Sequence, residues 1–261
     1  MKYEKFKTDV NRLIRVDLNL YKEKQMKRRL TSLLTRNGFK DFDDYFEEGL
    51  KKNKDLLNEF INFMTINVSE FYRNPQQWQV LKDTVIPELR KENSSALKVW
   101  SAACSTGEEP YSLVMMLSQF YPLNKIKVNA ADLDEMAIKK AKEGLYTEKS
   151  TASIPNELKS KFFKPEGSLL KISDEVKSCV EFKKMDLLKD SFASGFDLIC
   201  CRNVMIYFTD EAKEELYRKF NAALKPHGVF FVGSTEQIIS PEKFNFKTMK
   251  TFFYEKADNT R

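Results

Sequence analysis

The sequence lacks the features of a membrane or secreted protein. Its 261 residues contain no apolar run of about 18 residues, the length that a membrane-spanning helix needs. The charged amino terminus has no apolar segment of the kind found in signal peptides. From these absences we expect a cytoplasmic protein without direct membrane insertion.

Residues that bind metals or form disulfides are also scarce. The chain has one histidine, His227, and four cysteines that show no CxxC spacing. Because no ligand cluster is present, the sequence predicts no metal site. Two of the cysteines, Cys200 and Cys201, fall in a predicted buried strand, which suits a reducing compartment where cysteine acts as a small apolar residue.

Apolar residues and a localised positive charge are what the sequence does contain. Hydrophobic residues make up 42% of the chain and aromatics 13%, enough for a substantial core in one large domain or two small ones. The net charge is +6, yet residues 1–40 contain twelve Lys/Arg against four Asp/Glu. The basic character therefore belongs to the first segment, where it indicates an acidic partner.

The first 90 residues follow the helical period. Asp41 is a plausible cap for the third helix, Asn37-Gly38 is a stop signal for the second, and Asn74-Pro75 has the pattern of an N-cap followed by proline at the first helical position. Apolar side chains recur at helical spacing in segments 6–14, 26–34, 42–50, 56–64 and 74–89.

From residue 97 the pattern alternates between strand and helix, which predicts a parallel α/β sheet with an antiparallel tail. Residues 225–228 have the composition of a turn. The predicted strands are 97–102, 126–131, 196–201, 229–233 and about 246–255, and the predicted helices are 108–121, 134–143 and 210–224.

The alternation breaks between about residues 145 and 185. A short helix near 155–161 precedes apolar runs at 168–172 and 180–183, which we interpret as antiparallel strands of a small insertion. The predicted organisation is a helical domain over 1–72, a linker helix over 73–94 and an α/β domain over 95–261.

The stretch SAACSTGEEPYS, residues 101–112, follows the first predicted strand where nucleotide-binding folds keep a glycine-rich phosphate loop. It has a single glycine, and Glu108 and Glu109 stand at the helix start, where they would repel a phosphate and attract a cation. Compensation of the helix dipole is the alternative explanation for both glutamates.

An acidic residue ends the second predicted strand, in the motif ADLD. At about 20–25 residues after the first loop, Asp132 suits the hydroxyls of a ribose, and Asp134 suits a helix cap. A ligand with a ribose, a positive charge and no phosphate is therefore expected. S-adenosylmethionine has these properties, whereas NAD fits badly because its pyrophosphate has no cradle.

The third strand end, CRNVMIYF at residues 201–208, bears on the methyl acceptor. It has neither the Asn/Asp-Pro-Pro-Tyr motif of amino-group methyltransferases nor the Pro-Cys nucleophile of pyrimidine methylation. Arg202 suits an anionic acceptor such as a carboxylate, although a structural ion pair is the alternative. A glutamate is already ionised at neutral pH, so attack on a sulfonium methyl needs no general base.

These motifs, together with INVSEFYRN at residues 66–74, resemble the chemotaxis receptor methyltransferases, the CheR family, over nearly the whole chain. The resemblance implies a Rossmann-like S-adenosylmethionine-dependent methyltransferase sheet with an all-helical N-terminal domain and a small antiparallel β insertion. It implies transfer of a methyl group to glutamate side chains of chemoreceptor cytoplasmic domains, giving methyl esters and S-adenosylhomocysteine.

The resemblance also implies the site residues. Glu109 is expected at the methionine amino group, Asp132 at the ribose, and Asp186-Leu187 along the adenine, although the family commonly has asparagine at the position of Asp186. Asn67, Ser69, Arg73, Arg202 and Asn203 are the other expected cofactor contacts. The residues expected nearest to the transferred methyl are Arg73, Arg202 and Tyr207.

The implied partners are chemoreceptors. The basic second helix is expected to dock on an acidic receptor helix, although a solvated face is the alternative; the residues concerned are Lys24, Lys27, Arg28 and Arg29. The insertion at 145–185 is a second candidate contact. We expect a monomer and no nucleic-acid partner. Two other hypotheses are a methyltransferase acting on RNA or a small molecule, and a catalytically silent docking module.

Overall fold

The computed structural model describes residues 2–92 and 96–258, which divide into two compact units. One unit contains the residues up to Asn67 together with Met205–Glu215, and the other contains Val68–Val204 and the residues from Leu216 onward. The predicted domain boundaries at residues 94 and 95 lie outside the described residues, as do the chain ends at 1 and 261.

The first unit consists of helices. Asp41 accepts hydrogen bonds from the backbone of Asp43 and Asp44, so the predicted cap is confirmed, and Gly38, at φ 79°, follows the end of the second helix as predicted. The core is aromatic, and Phe6 and Phe60 meet edge-on with ring centroids 6.0 Å apart. The elements are α1 (Lys2–Ile14), a 3-10 turn (Leu18–Leu20), α2 (Glu23–Arg36), α3 (Phe42–Asp44) continued by a π turn (Tyr45–Leu50), and α4 (Lys54–Thr65).

The second unit contains two sheets and confirms the predicted parallel sheet with its antiparallel tail. The strands are β1 (Lys98–Ser101), β2 (Lys127–Asp132), β3 (Leu145–Tyr146), β4 (Phe163–Glu166), β5 (Leu169–Ile172), β6 (Val180–Lys184), β7 (Phe196–Cys201), β8 (Leu224–Val232), β9 (Phe246–Lys250) and β10 (Phe253–Lys256). The seven-stranded sheet has the order β6-β2-β1-β7-β8-β10-β9, with β9 and β10 antiparallel. The three-stranded sheet, β3-β5-β4, is antiparallel.

Helices connect these strands. They are α5 (Pro75–Val80) and α6 (Ile86–Glu92), separated by a π turn (Leu81–Val85), then α7 (Glu108–Leu117), α8 (Glu135–Glu143), α9 (Asn156–Phe162), α10 (Asp174–Lys177) and α11 (Asp210–Ala223). β7 is buried at all six positions and apolar at five of them, because a central parallel strand is covered on both faces. The exception is Asp197, whose carboxylate accepts from Lys225 Nζ at 2.8 Å. Cys200 and Cys201 are fully buried there, as expected.

Two predicted strands and one predicted turn differ from the observed structure. Residues 180–183 do not pair inside the insertion; they form part of β6, which runs parallel to β2 at the edge of the large sheet. Residues 246–255 form two strands, because Phe252 adopts φ 70° in the turn between β9 and β10. Residues 225–228 belong to β8 rather than to a turn, with an irregular register against β7.

Within the described ranges, no helix combines the length and the hydropathy needed to cross a membrane.

Candidate functional site

The loop between β1 and α7 is held by its one glycine. Gly107 adopts φ 97°, and a Cβ there would lie 2.8 Å from the Tyr146 hydroxyl and 2.9 Å from the Ala141 side chain. The Tyr146 hydroxyl also donates to the carbonyl of Thr106 at 2.8 Å. The glycine is therefore required by close packing and a left-handed backbone, not by a phosphate.

Glu109, in the first turn of α7, is 9% exposed and faces other buried polar groups. Its Oε1 accepts a hydrogen bond from Ser101 Oγ at 2.8 Å, and its Oε2 lies 3.6 Å from Arg202 Nη1. Burial raises the pKa of Glu109, and the positive charge of Arg202 opposes the shift. A carboxylate in this buried ion pair does more than compensate a helix dipole.

Glu108 joins the loop to the segment that precedes α5. Its carboxylate accepts from Thr106 Oγ1 at 2.7 Å and also hydrogen-bonds to the Ser69 side chain. Burial raises the pKa of Glu108. Further along this segment, the backbone N–H of Tyr72 donates to Ser112 Oγ at 3.1 Å. The family resemblance implies no ligand contact for Glu108, and the structure shows that its carboxylate hydrogen-bonds to the Ser69 side chain.

The two aspartates at the end of β2 have separate structural roles. Asp132 accepts from the backbone N–H groups of Ser105 at 2.7 Å and Asp134 at 3.0 Å, and burial raises the pKa of its carboxyl group. Asp134 accepts from Met136 and Ala137 at the start of α8, so the predicted cap is confirmed.

Asp186 and Leu187 follow β6, the strand beside β2. Asp186 Oδ1 accepts from the backbone N–H of Leu188 at 2.9 Å, and burial raises the pKa of Asp186. Leu187 is buried, and its carbonyl accepts from Lys219 Nζ at 2.7 Å. The pair therefore forms a fixed loop at the carboxyl end of its strand.

Arg202, directly after β7, is 7% exposed. Its Nη2 donates to the carbonyl of Arg73 at 2.7 Å and to Gln77 Oε1 at 2.8 Å, while its Nε has no hydrogen-bond partner among the described residues. The guanidinium carbon lies 4.7 Å from the centroid of the Phe231 ring. Burial lowers the pKa of Arg202, and Glu109 opposes the shift. The structural ion pair considered for Arg202 is therefore present.

Arg73 occupies a strained turn beside Arg202. Tyr72 and Asn74, on either side of it, have φ 50° and φ 60°. Arg73 is half-buried, its Nη1 donates to the carbonyl of Val68 at 3.2 Å, and its own carbonyl also accepts from Trp78 Nε1 at 3.1 Å. Asn74 is the N-cap residue of α5 and Pro75 its first residue, as predicted, although the Asn74 side chain makes no capping hydrogen bond. Its Oδ1 accepts from Arg202 Nη2 at 3.3 Å instead.

Two residues of this cluster were missed by the sequence reasoning. Gln77 gave no signal beyond its helical position, yet it is buried against Arg202. Glu236 is also buried, and its Oε2 accepts from the backbone N–H of Asn203 at 2.5 Å. Glu236 lies shortly after β8, and a search of every strand end for acidic residues would have found it.

Two predicted site residues lie in the first unit. Asn67 Nδ2 donates to Thr65 Oγ1 at 3.1 Å. The carbonyl of Tyr207 accepts from the backbone N–H of Lys22 at 2.9 Å, and its ring centroid lies 6.0 Å from the Arg29 guanidinium. The other predicted site residues belong to the second unit, namely Ser69, Arg73, Glu109, Asp132, Asp186, Leu187, Arg202 and Asn203.

The basic residues of α2 are not equivalent. Lys24, Lys27 and Arg28 are exposed, whereas Arg29 is half-buried, donates to the carbonyl of Phe63 and lies 5.0 Å from the Phe63 ring centroid. Burial lowers the pKa of Arg29. The prediction that Arg29 belongs to a free basic face is therefore wrong, because its guanidinium is bound within the first unit.

The donors and acceptors of the second unit fit a zwitterionic amino acid attached to a ribose. Glu109 and Asp132 supply buried acceptors for an ammonium group and for hydroxyls. Arg202 supplies a buried Nε donor that suits a carboxylate. The two glutamates at the start of α7 disfavour a phosphate. S-adenosylmethionine has the matching groups.

Comparison with known proteins agrees with this chemistry. The family description "CheR methyltransferase, SAM binding domain" matches residues 67–253, and "CheR methyltransferase, all-alpha domain" matches residues 1–65. A chemotaxis protein methyltransferase of Listeria innocua is 41% identical over 98% of this chain and 97% of its own length. Those of Borreliella burgdorferi and Escherichia coli are 34% and 33% identical, over 89% and 85% of this chain and 89% and 79% of their own lengths.

Proposed function

Because the chain belongs to the CheR methyltransferase family, we propose that it transfers a methyl group to glutamate side chains of chemoreceptor cytoplasmic domains, giving methyl esters. It is an S-adenosylmethionine-dependent methyltransferase of chemotaxis; the carboxylate acceptor is the proposed part. The observation that supports this acceptor most directly is the half-buried Arg73, whose carbonyl accepts a hydrogen bond from the buried Arg202 at 2.7 Å.

In this proposal the second unit holds the cofactor by charge and hydrogen bonding. Glu109 accepts from the amino group of the methionine moiety, and Arg202 Nε donates to its carboxylate. Asp132 accepts from the ribose hydroxyls. When bound, S-adenosylmethionine supplies a methyl group made electrophilic by its sulfonium. The remaining proposed contacts are Asn67, Ser69, Arg73, Asp186, Leu187 and Asn203.

Arg73 is the arginine that we assign to the acceptor carboxylate. Arg202 is almost fully enclosed and already donates to Arg73, whereas the Arg73 side chain is half-buried. Arg202 then acts by orienting Arg73, and the role of Tyr207 near the transferred methyl stays a prediction. Because attack partly neutralises the acceptor carboxylate, a strong clamp would favour the ground state, so the arginines orient rather than neutralise.

No general base is needed for this acceptor. A glutamate side chain is ionised at neutral pH, so the work left to the enzyme is alignment and exclusion of water. The position of the only histidine of the sequence agrees with this view. His227 lies in the first half of β8, whereas Gly233 and Glu236 follow the other end of that strand. Its Nδ1 lies 2.9 Å from Glu255 Oε1.

The receptor contact is proposed to use the exposed basic side chains of α2. Lys24, Lys27 and Arg28 give that helix a positive face suited to acidic receptor helices. Arg29 is not part of this face, because its guanidinium donates to the carbonyl of Phe63 within the first unit. The β3-β5-β4 sheet remains a second candidate contact. A role on RNA or a small molecule is not favoured, because the relatives are chemotaxis protein methyltransferases.

The test uses radiolabelled S-adenosylmethionine with receptor cytoplasmic fragments, followed by a mild alkaline wash. Methyl esters are hydrolysed by alkali, whereas methylated amines are stable, so we expect the label to be lost. Label that survives the wash, or label that appears only on added RNA, would refute the glutamate assignment. The Glu109→Gln variant should bind S-adenosylhomocysteine at least tenfold more weakly, while Glu242→Gln, at an exposed position, should bind normally.

A further inference from the structure

Glu236 is a buried carboxylate without a role in the proposed reaction. It is 5% exposed, in the loop that follows β8, two strand ends away from Glu109 in the sheet order. One oxygen, Oε2, accepts from two backbone N–H groups, those of Asn203 at 2.5 Å and Gly233 at 2.9 Å. The backbone N–H of Glu236 in turn donates to the carbonyl of Gly233 at 3.0 Å.

The residue that donates to this carboxylate has an unusual backbone conformation. Asn203 adopts φ 61°, in the left-handed region that non-glycine residues seldom occupy, although asparagine does so more readily than most. Such a conformation persists when neighbouring bonds fix it, and the bond to Glu236 fixes the Asn203 N–H. Asn203 directly follows Arg202, so the same bond restrains the position of the guanidinium.

The neighbouring glycine leaves room for this arrangement. A Cβ on Gly233 would lie 2.8 Å from Asn203 N and 2.9 Å from Asn203 Nδ2, closer than carbon atoms normally approach these groups. The ends of β7 and β8 therefore meet backbone to backbone, and the Glu236 side chain bridges them. Gly233 and Glu236 therefore both contact Asn203, the residue that follows Arg202.

We propose that Glu236 is a positioning residue for cofactor binding, which fixes Arg202-Asn203 through the Asn203 backbone N–H. The inference rests on the proposed function, because it takes Arg202 and Asn203 as cofactor contacts. A carboxylate suits the task better than an amide, since a charged acceptor binds two N–H donors more strongly than a neutral one. Glu236 itself touches no reacting atom in this account.

The experiment measures S-adenosylhomocysteine binding by calorimetry, which gives affinity and stoichiometry separately. We expect Glu236→Gln to raise the Kd at least tenfold with an unchanged stoichiometry. A purely structural role would instead lower the stoichiometry, through partial unfolding, and leave the Kd of the folded fraction unchanged; that result, or a wild-type Kd with full stoichiometry, would overturn the proposal. Glu242→Gln is the matched control at an exposed position.

A spectroscopic readout tests the hydrogen bond itself. In the wild type, the amide proton of Asn203 should resonate well downfield because it donates to a carboxylate, and Glu236→Gln should move it upfield. An unshifted Asn203 amide would overturn the bond. Glu109→Gln separates the proposed cofactor site from the positioning role of Glu236. If Glu109→Gln and Glu236→Gln both bind S-adenosylhomocysteine normally, the cofactor site is wrong and the positioning role is wrong with it. Weak binding by Glu109→Gln together with normal binding by Glu236→Gln rejects the role of Glu236 alone.

Discussion

Replacement of Arg202 by methionine tests the buried pair with Glu109 through stability. The change removes the guanidinium and leaves a carboxylate that is 9% exposed without its cationic neighbour. Breaking a buried ion pair from one side costs about 3–5 kcal/mol, because the remaining charge is unpaired. We expect Arg202→Met to lower the free energy of unfolding by about that amount.

The second variant of the cycle is Glu109→Gln. If the cost of Arg202→Met comes mainly from the stranded carboxylate, then neutralising Glu109 in the same chain should recover part of it. We therefore expect the double variant to be less destabilised than the sum of the single variants by about 0.5–3 kcal/mol, the range found for residues in contact. Urea unfolding measures all three variants, and Arg12→Met, at a 78% exposed side chain, should change stability by no more than about 0.5 kcal/mol.

The cost of Arg202→Met should also depend on pH. Burial raises the pKa of Glu109, and the loss of Arg202 removes the main opposing interaction, so that pKa rises further. In the folded variant the Glu109 carboxyl group therefore stays protonated above pH 4.3, where the glutamate of the unfolded chain is already ionised. Because the folded state binds more protons there, the free energy of unfolding falls as pH rises from 4.3 to the pKa of the folded state. We expect a smaller loss at pH 5 than at pH 8. Additive effects in the cycle, together with a loss independent of pH, would refute the reasoning.

Three further changes are expected to separate cofactor binding, folding and receptor contact. Asp132→Asn should weaken S-adenosylhomocysteine binding at least tenfold in calorimetry, because one carboxylate acceptor is lost; an unchanged Kd would contradict the ribose assignment. Gly107→Ala should lower the free energy of unfolding by about 2 kcal/mol or more in urea, because its φ of 97° and the close neighbours leave no room for a Cβ; wild-type stability would contradict the packing argument. Charge reversal at the exposed positions of α2 should slow receptor methylation at low salt, less so at high salt, and leave cofactor affinity unchanged, and an unaltered rate at low salt would contradict docking through Lys24, Lys27 and Arg28.

Much of the sheet could be predicted from the sequence because local pattern and tertiary role agree there. β7 is apolar at five of its six positions and lies at the centre of the sheet, and Asp134 caps α8 as its position predicts. The partner of β6, in contrast, could not be predicted from its local sequence. A short edge strand has the same local pattern whether its neighbour is an antiparallel hairpin or a distant parallel strand, and only the tertiary fold pairs Val180 with Val128.

The candidate site shows the same division. Glu109 and Asp132 could be singled out because each follows a strand at a distance that ligand chemistry explains. Gln77 could not, because its role depends on a contact across 125 residues of sequence. Glu236 could be found as an acidic residue after a strand, but its contact with Asn203, 33 residues away, could not be predicted. Arg29 was misjudged because the helical period assigned it to the solvent face, whereas Phe63, from α4, provides a carbonyl and a ring for its guanidinium.

The central claim is that the acceptor is a glutamate carboxylate, and tandem mass spectrometry of the methylated receptor tests it most directly. A receptor cytoplasmic fragment is incubated with the enzyme and S-adenosylmethionine, digested at mildly acidic pH to preserve esters, and searched for peptides heavier by one methylene. The account predicts this increment on glutamate side chains and its loss after alkali. The same increment on lysine, arginine or the amino terminus, stable to alkali, would contradict it.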